Sequence, residues 1–257
     1  MFPYKDENPT LATPIVTYAL IAVTTLVWVV VQGMGRTPFL EASVCQYGVI
    51  PGRLFGSIAS GMTVRLGAET VCRIGDFPAW GTVLSSMFLH GGWLHLIGNM
   101  WFLWIFGNNV EDSTGRFRFL LFYVLCGALA AGAQSFAAPN SPIPMVGASG
   151  AISGVMGGYI VLYPRVRVHL LIFLGLFITT IAVPAYFMLG YWFLLQLVST
   201  LTVVSEEGGG IAFLAHAGGF LAGMVLVLFV RNRELVARRM AHNLPAWGVP
   251  RPRGPFG

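Results

Sequence analysis

The stretch Gly147-Ala148-Ser149-Gly150-Ala151-Ile152-Ser153-Gly154-Val155-Met156-Gly157-Gly158-Tyr159 decides the fold. It carries no charge, and small residues recur every fourth position in two registers: Ser149, Ser153, Gly157 and Gly150, Gly154, Gly158. Small residues at this spacing let two helix backbones approach closely, the usual way membrane helices pack. The stretch therefore reads as a span from Ala148 to Tyr163, stopped by Pro164.

The whole chain agrees with that reading. Of its 257 residues, 56% are apolar and only 10% are charged, against about 25% charged in a soluble domain. Glycine contributes 32 residues, or about one in eight against a usual ~7%. These counts exclude disordered, coiled-coil, collagen-like and disulfide-scaffold classes, and they make the bilayer the solvent.

Five further spans follow from the apolar runs. The first covers Thr13 to Gln32, the second Phe88 to Gly107, the third Phe119 to Ala137 and the sixth Gly210 to Val230. Residues 33–84 form a polar first loop. Val168 to Leu201 is apolar but interrupted by Pro184, and two spans would leave each about 15 residues, short of the ~20 required. The expectation is an interfacial or partly re-entrant segment up to Val183, then a fifth helix opening near Pro184, since proline suits a first helical position. The domains are then a short cytoplasmic N-terminus (1–12), a six-helix membrane domain (13–230) and a basic cytoplasmic tail (231–257).

Charge placement supports this count. Eleven of the fifteen Lys and Arg residues fall on one side: Lys5, Arg116, Arg118, Arg165, Arg167 and six tail arginines including Arg231 and Arg239. The other four lie in the long first loop, so both termini are expected to be cytoplasmic. A basic tail beside a span suits topology and anionic lipid, so the net charge of +5 implies no nucleic-acid partner. The cysteines leave two readings open: a Cys45–Cys72 disulfide in an oxidising compartment, or two unlinked thiols.

Polar groups are costly in hydrocarbon, so those inside the spans are informative. No Asp, Glu, Lys or Arg lies deep in any span, which argues against a pump, an ion-coupled transporter or an aspartyl protease. No His-Glu-x-x-His pattern supports a zinc protease, and no metal is expected. Serine and histidine remain. Ser149 at a helix start lies among backbone N–H groups without intrahelical partners, which can hold an oxyanion. His216, in Ala215-His216-Ala217-Gly218-Gly219-Phe220-Leu221-Ala222-Gly223, can act as the base a serine hydroxyl needs. One span between their helices puts both residues at the same face. Gly150, Ser153, Gly219 and Gly223 are expected to pack the two helices together. His95 and Asn99, one turn apart, share a helix face and offer oxyanion donors, or they bond neighbouring helices.

Taken jointly and in this order, several motifs resemble the rhomboid intramembrane serine proteases over nearly the whole chain. They are His95-x-x-x-Asn99, Phe106-Gly107-Asn108-Asn109-Val110-Glu111-Asp112, Gly147-Ala148-Ser149-Gly150, Trp192 with Gln196, and Ala215-His216 before Gly218-Gly219. The resemblance implies an all-α, six-transmembrane-helix bundle with Ser149 as nucleophile and His216 as base, a dyad without an acidic member. It implies an oxyanion hole of His95, Asn99 and the Ser149 N–H, a substrate gate at the fifth helix, and Glu111 and Arg116 as anchors of the turn after the second helix. Four residues after the nucleophile, where some members carry an aromatic against the histidine, this chain has Ser153. What orients His216 is thereby left open.

The function implied is cleavage of peptide bonds in or near transmembrane segments of protein substrates in the bilayer, without cofactor. A multi-pass protein of a bacterial plasma membrane is expected. The rival is a catalytically silent relative that binds membrane clients; such members usually lack the serine or histidine, and this chain keeps both.

Overall fold

The computed structural model describes residues 2–65, 71–174, 177–203 and 213–243. Each expected span corresponds to helix. α1 (Ile15–Val30) is followed at the same end by α2 (Phe39–Tyr47), α3 (Pro51–Leu54), the ribbon β2 (Thr63–Arg65) and β3 (Val71–Arg73), and α4 (Thr82–Ser85). α5 (Trp93–Phe102) runs through a wide π turn at Leu103–Gly107 into α6 (Asn108–Thr114). Then come α7 (Arg116–Ala137), α8 (Ser149–Leu162), α9 (Ala185–Val203), α10 (Phe213–Val230) and α11 (Arg233–Asn243). The expected start of the sixth span at Gly210, with tail residues Arg251 and Arg253, lies outside the described residues.

Helices α7 and α10 are long and apolar enough to cross a membrane; α1 and α8 are shorter apolar helices. The core lies where α7, α8, α10 and the α5–α6 rod meet, around Leu103, Phe106, Phe122, Tyr123, Val155 and Tyr159. Large apolar side chains also cover the outside, Leu26, Val30, Leu94, Phe117, Phe187 and Phe229 each being more than half exposed. An apolar shell around an apolar core suits a lipid environment.

The chain is mostly helical, as expected, and the structure departs from the sequence reading in three places. The segment before α9 is an antiparallel hairpin, β4 (Arg167–Leu174) with β5 (Phe177–Pro184), in register from Arg167 opposite Pro184 to Leu174 opposite Phe177. A run this largely apolar shows no clear period, and here β-branched Ile172, Ile178, Thr179, Thr180, Ile181 and Val183 favour the extended form. The N-terminus is no loose tail: β1 (Phe2–Asp6) pairs antiparallel with β4, and Trp101 Nε1 donates to Pro3 O at 2.7 Å.

The third correction concerns the basic tail. Arg239 on α11 is buried, its Nε 3.1 Å from Asp112 Oδ2. Its NH1 donates to Asn109 O at 2.5 Å, and its NH2 to Asn8 Oδ1 at 3.1 Å. A guanidinium repays its desolvation only when a countercharge and acceptors surround it in this way. Glu111 caps α1, accepting from Val16 N at 2.9 Å, Thr17 N at 2.7 Å and Thr17 Oγ1 at 2.8 Å, where a helix N-terminus favours a carboxylate. Asp112 accepts from Leu11 N and Ala12 N. Glu111 thus anchors its turn, whereas Arg116 is exposed and Arg239 supplies the buried cation.

These contacts gather β1, α6 and α11 at one end of the bundle. The first loop sits at the other. Val49 and Met145 exchange backbone hydrogen bonds, Ser85 Oγ donates to Tyr47 O, and a Cys45–Cys72 disulfide ties α2 to β3.

Candidate active site

Helices α8 and α10 touch backbone to backbone. A Cβ at Gly219 would overlap the Gly150 carbonyl, and one at Gly223 would overlap the Gly154 carbonyl. The pairs advance in step, 150 with 219 and 154 with 223, so the helices are parallel and begin at the same end. Gly150 also meets Ala130 of α7, where an added Cβ would stand 2.6 Å from the Ala130 methyl. Ser153 does not join this seam through its hydroxyl, which donates to Ser149 O at 2.6 Å.

At the shared end, His216 Nε2 lies 2.8 Å from Ser149 Oγ. Both residues are only partly buried, so the pair is open to a reactant. An opening beside Ser149 is lined by Val49, Ser86, Gly127, Ala130, Ala131 and Met145. On the ring's far side, His216 Nδ1 lies 2.8 Å from Gln196 Oε1 on α9. The Trp192 ring, one turn earlier, is centred 6.1 Å from the imidazole.

His95 approaches from α5. Gly147, just before α8, has φ +127°, a conformation that L side chains rarely adopt. A Cβ there would stand 2.8 Å from His95 Nε2 and 3.5 Å from Ser149 Oγ. The missing side chain therefore leaves a gap between the imidazole and the hydroxyl. Gly147 N–H donates to Ser86 O at 2.9 Å, which fixes the turn.

His95 and Asn99 share a helix face but have different partners. Asn99 Nδ2 lies 2.9 Å from Nε2 of His90, a fully buried residue that sequence reasoning left without a task. The His90 backbone is clasped by Gln32, whose Nε2 donates to His90 O and whose Oε1 accepts from His90 N. No local signal joins residues 58 positions apart. Their being polar in otherwise apolar segments is the one clue. Among the described residues, no three His, Cys, Asp or Glu side chains gather as a metal-ligand set.

A family model of the rhomboid domain matches residues 78–233. Rhomboid-like protease 5 of Toxoplasma gondii is 30% identical over 198 residues, covering 71% of this chain and 21% of that protein. Rhomboid protease GluP of Bacillus subtilis is 34% identical over 173 residues, covering 67% and 31%. Chloroplastic Rhomboid-like protein 11 of Arabidopsis thaliana is 39% identical over 80 residues, covering 31% and 28%. The chain thus spans a third or less of the length of these relatives. With chloroplast and mitochondrial proteins among the relatives, the likeness does not carry the expectation of a bacterial membrane.

Proposed function

The chain belongs to the rhomboid family of integral membrane proteins, and on that premise we propose that it is a serine endopeptidase cutting other membrane proteins in or near their transmembrane segments. The observation that carries this reading is the 2.8 Å hydrogen bond between Ser149 Oγ and His216 Nε2, at the exposed end of two helices locked by glycine contacts. We read α1, the α5–α6 rod, α7, α8, α9 and α10 as six spans, with both termini on the side remote from Ser149.

The chemistry follows from the atoms. His216 Nε2 takes the Ser149 hydroxyl proton as Oγ bonds to the substrate carbonyl carbon. The carbonyl oxygen becomes an oxyanion, and the gap at Gly147 gives it room beside His95 Nε2. The Ser149 backbone N–H, at the start of α8, lacks an intrahelical partner and adds a second donor. Asn99, held against His90, completes the hole or steadies the neighbouring histidine ring. Collapse of the intermediate breaks the C–N bond, and His216 returns its proton to the leaving amine. Water then attacks the acyl-enzyme, giving a proton to His216, and release of the new carboxyl group restores Ser149.

A substrate helix hides its carbonyls in its own hydrogen bonds, so a locally unwound segment with small residues is the expected target. Water reaches Ser149 through the opening lined by Val49, Ser86 and Met145. The seat for each reacting group is made by protein atoms, so no cofactor enters the scheme.

The test is covalent labelling by a fluorophosphonate probe. The wild-type chain is expected to be labelled at Ser149, with labelling lost in Ser149→Ala and reduced at least 10²-fold in His216→Ala. Equal labelling of wild type and Ser149→Ala would overturn the assignment of the nucleophile.

A further inference from the structure

The imidazole of His216 has two hydrogen-bonding atoms, and the structure assigns a partner to each. Nε2 meets Ser149 Oγ on α8, and Nδ1 meets Gln196 Oε1 on α9, both at 2.8 Å. A carbonyl oxygen accepts but does not donate, so Nδ1 must carry the proton of the neutral ring. Nε2 is then left with its lone pair facing the serine hydroxyl, which is the tautomer a general base requires. The opposite tautomer would present Nε2–H to Ser149 and could take no proton from it.

The second constraint is on the plane of the ring. Trp192 and Gln196 lie one turn apart on α9 and meet the same imidazole, one through its ring face and one through its amide. Trp192 also packs on Phe220, centroids 6.0 Å apart, and Phe193 stacks on Phe220 at 4.8 Å. These aromatics seat α9 on α10 at the level of the histidine. Residue 153, four after the nucleophile, cannot help: its hydroxyl turns back to Ser149 O.

We infer that Gln196 is a positioning residue for His216, supplying from α9 the acceptor that fixes the tautomer and orientation of the base. The inference rests on the reading of Ser149 and His216 as nucleophile and base. It gives the pair a neutral third member, a side-chain amide where a carboxylate stands in a triad. Besides Ser149, the titratable side chain facing His216 among the described residues is His95 on α5.

The experiment compares the fluorophosphonate labelling rate against pH for the full chain and two variants in detergent. Gln196→Met keeps the length of the side chain and removes the amide acceptor. It is expected to slow labelling on the order of 10²-fold with the unfolding midpoint unchanged. Gln196→Glu keeps an acceptor and adds a charge. It is expected to label within about tenfold of wild type, with the acid limb of the profile moved to higher pH by about one unit, because a carboxylate stabilises imidazolium. Wild-type rate and profile in Gln196→Met would overturn the inference and leave the dyad standing. Should Gln196→Met fail to fold, an unmoved acid limb in Gln196→Glu overturns it equally. A wild-type chain that takes no label at any pH defeats the dyad reading, and this inference with it.

Discussion

Two of the seams of helix α10 are built from opposite materials. Against α8 it presents Gly219 and Gly223, and the contact is so close that a single added carbon would overlap a carbonyl oxygen. Against α9 it presents Phe220, which meets the Phe193 and Trp192 rings across 4.8 and 6.0 Å. The first seam leaves no freedom for Ser149 relative to His216. The second is held by a few large side chains, while Tyr186, Phe187, Tyr191, Leu194 and Leu195 of α9 face outward. Glycine fixes the distance between Ser149 and His216; aromatic rings hold the helix that carries Gln196. On the proposed function, admitting a transmembrane segment while holding 2.8 Å between Ser149 and His216 calls for both kinds of joint.

The sharpest way to break this comparison is to add one carbon to the close seam. In Gly223→Ala the new methyl meets the Gly154 backbone, and overpacking of this kind costs about 3 kcal/mol. A lower unfolding midpoint and loss of probe labelling are expected. Unaltered stability and labelling would contradict the close seam.

Next in size is an effect at the remote end, where neither seam reaches. Asp6 accepts from Tyr159 Oη at 2.5 Å and Asn109 Nδ2 at 2.9 Å. Burial nonetheless pushes its carboxyl up from 3.8 to about 6, with the hydrogen bond from Tyr159 and the charge of Arg239 opposing. The folded state therefore holds this proton more tightly than the unfolded chain does. The stabilisation is fully present below pH 3.8 and is lost as pH rises through about 6, a change of about 3 kcal/mol. Amide exchange of β1, corrected for intrinsic rates, is expected to be slower at pH 4.5 than at pH 7.5. Asp6→Asn removes that difference. A β1 equally protected at both values would contradict it.

Smaller effects belong to the aromatic seam. Phe193→Ala removes the stack on Phe220 and is expected to cost about 1 kcal/mol, with the α8 seam and its glycine contacts unaffected. Gly190 of α9 has open space where a Cβ would go. Gly190→Ala is expected to raise stability by about 0.5 kcal/mol through helix propensity alone. The same substitution type thus changes sign between the close α8–α10 seam and an open face of α9, and a loss at Gly190 equal to that at Gly223 would erase the distinction.

Much of this architecture was legible in the sequence, for reasons that particular residues make plain. The helices were visible because uncharged runs of that length and small-residue spacing have few alternatives. The meeting of Ser149 and His216 was legible from the expected parity, in which one span between their helices returns the chain to the same face. The hairpin at 167–184 was hidden because most positions from Leu170 to Val183 are apolar, so that period two and period 3.6 are hard to tell apart. The cluster of β-branched residues from Ile178 to Val183 was the signal that could have found it. Arg239 looked like its neighbours in a basic tail, and only the folded chain brings Asn8, Asn109 and Asp112 around it. The partner of His216 Nδ1 lay 20 residues away on a separate helix, beyond the reach of any spacing rule. Asn99 faced the same limit: its helix face was readable, but its pairing with His90 depends on how the chain turns before α5.

The most direct measurement is cleavage of a test transmembrane substrate by the purified chain in lipid vesicles, with Ser149→Ala and His216→Ala alongside. The account predicts a discrete cut by wild type and a loss of rate of at least about 10⁴-fold in each variant. Undiminished cleavage by Ser149→Ala, or an uncut substrate with all three proteins, would contradict it.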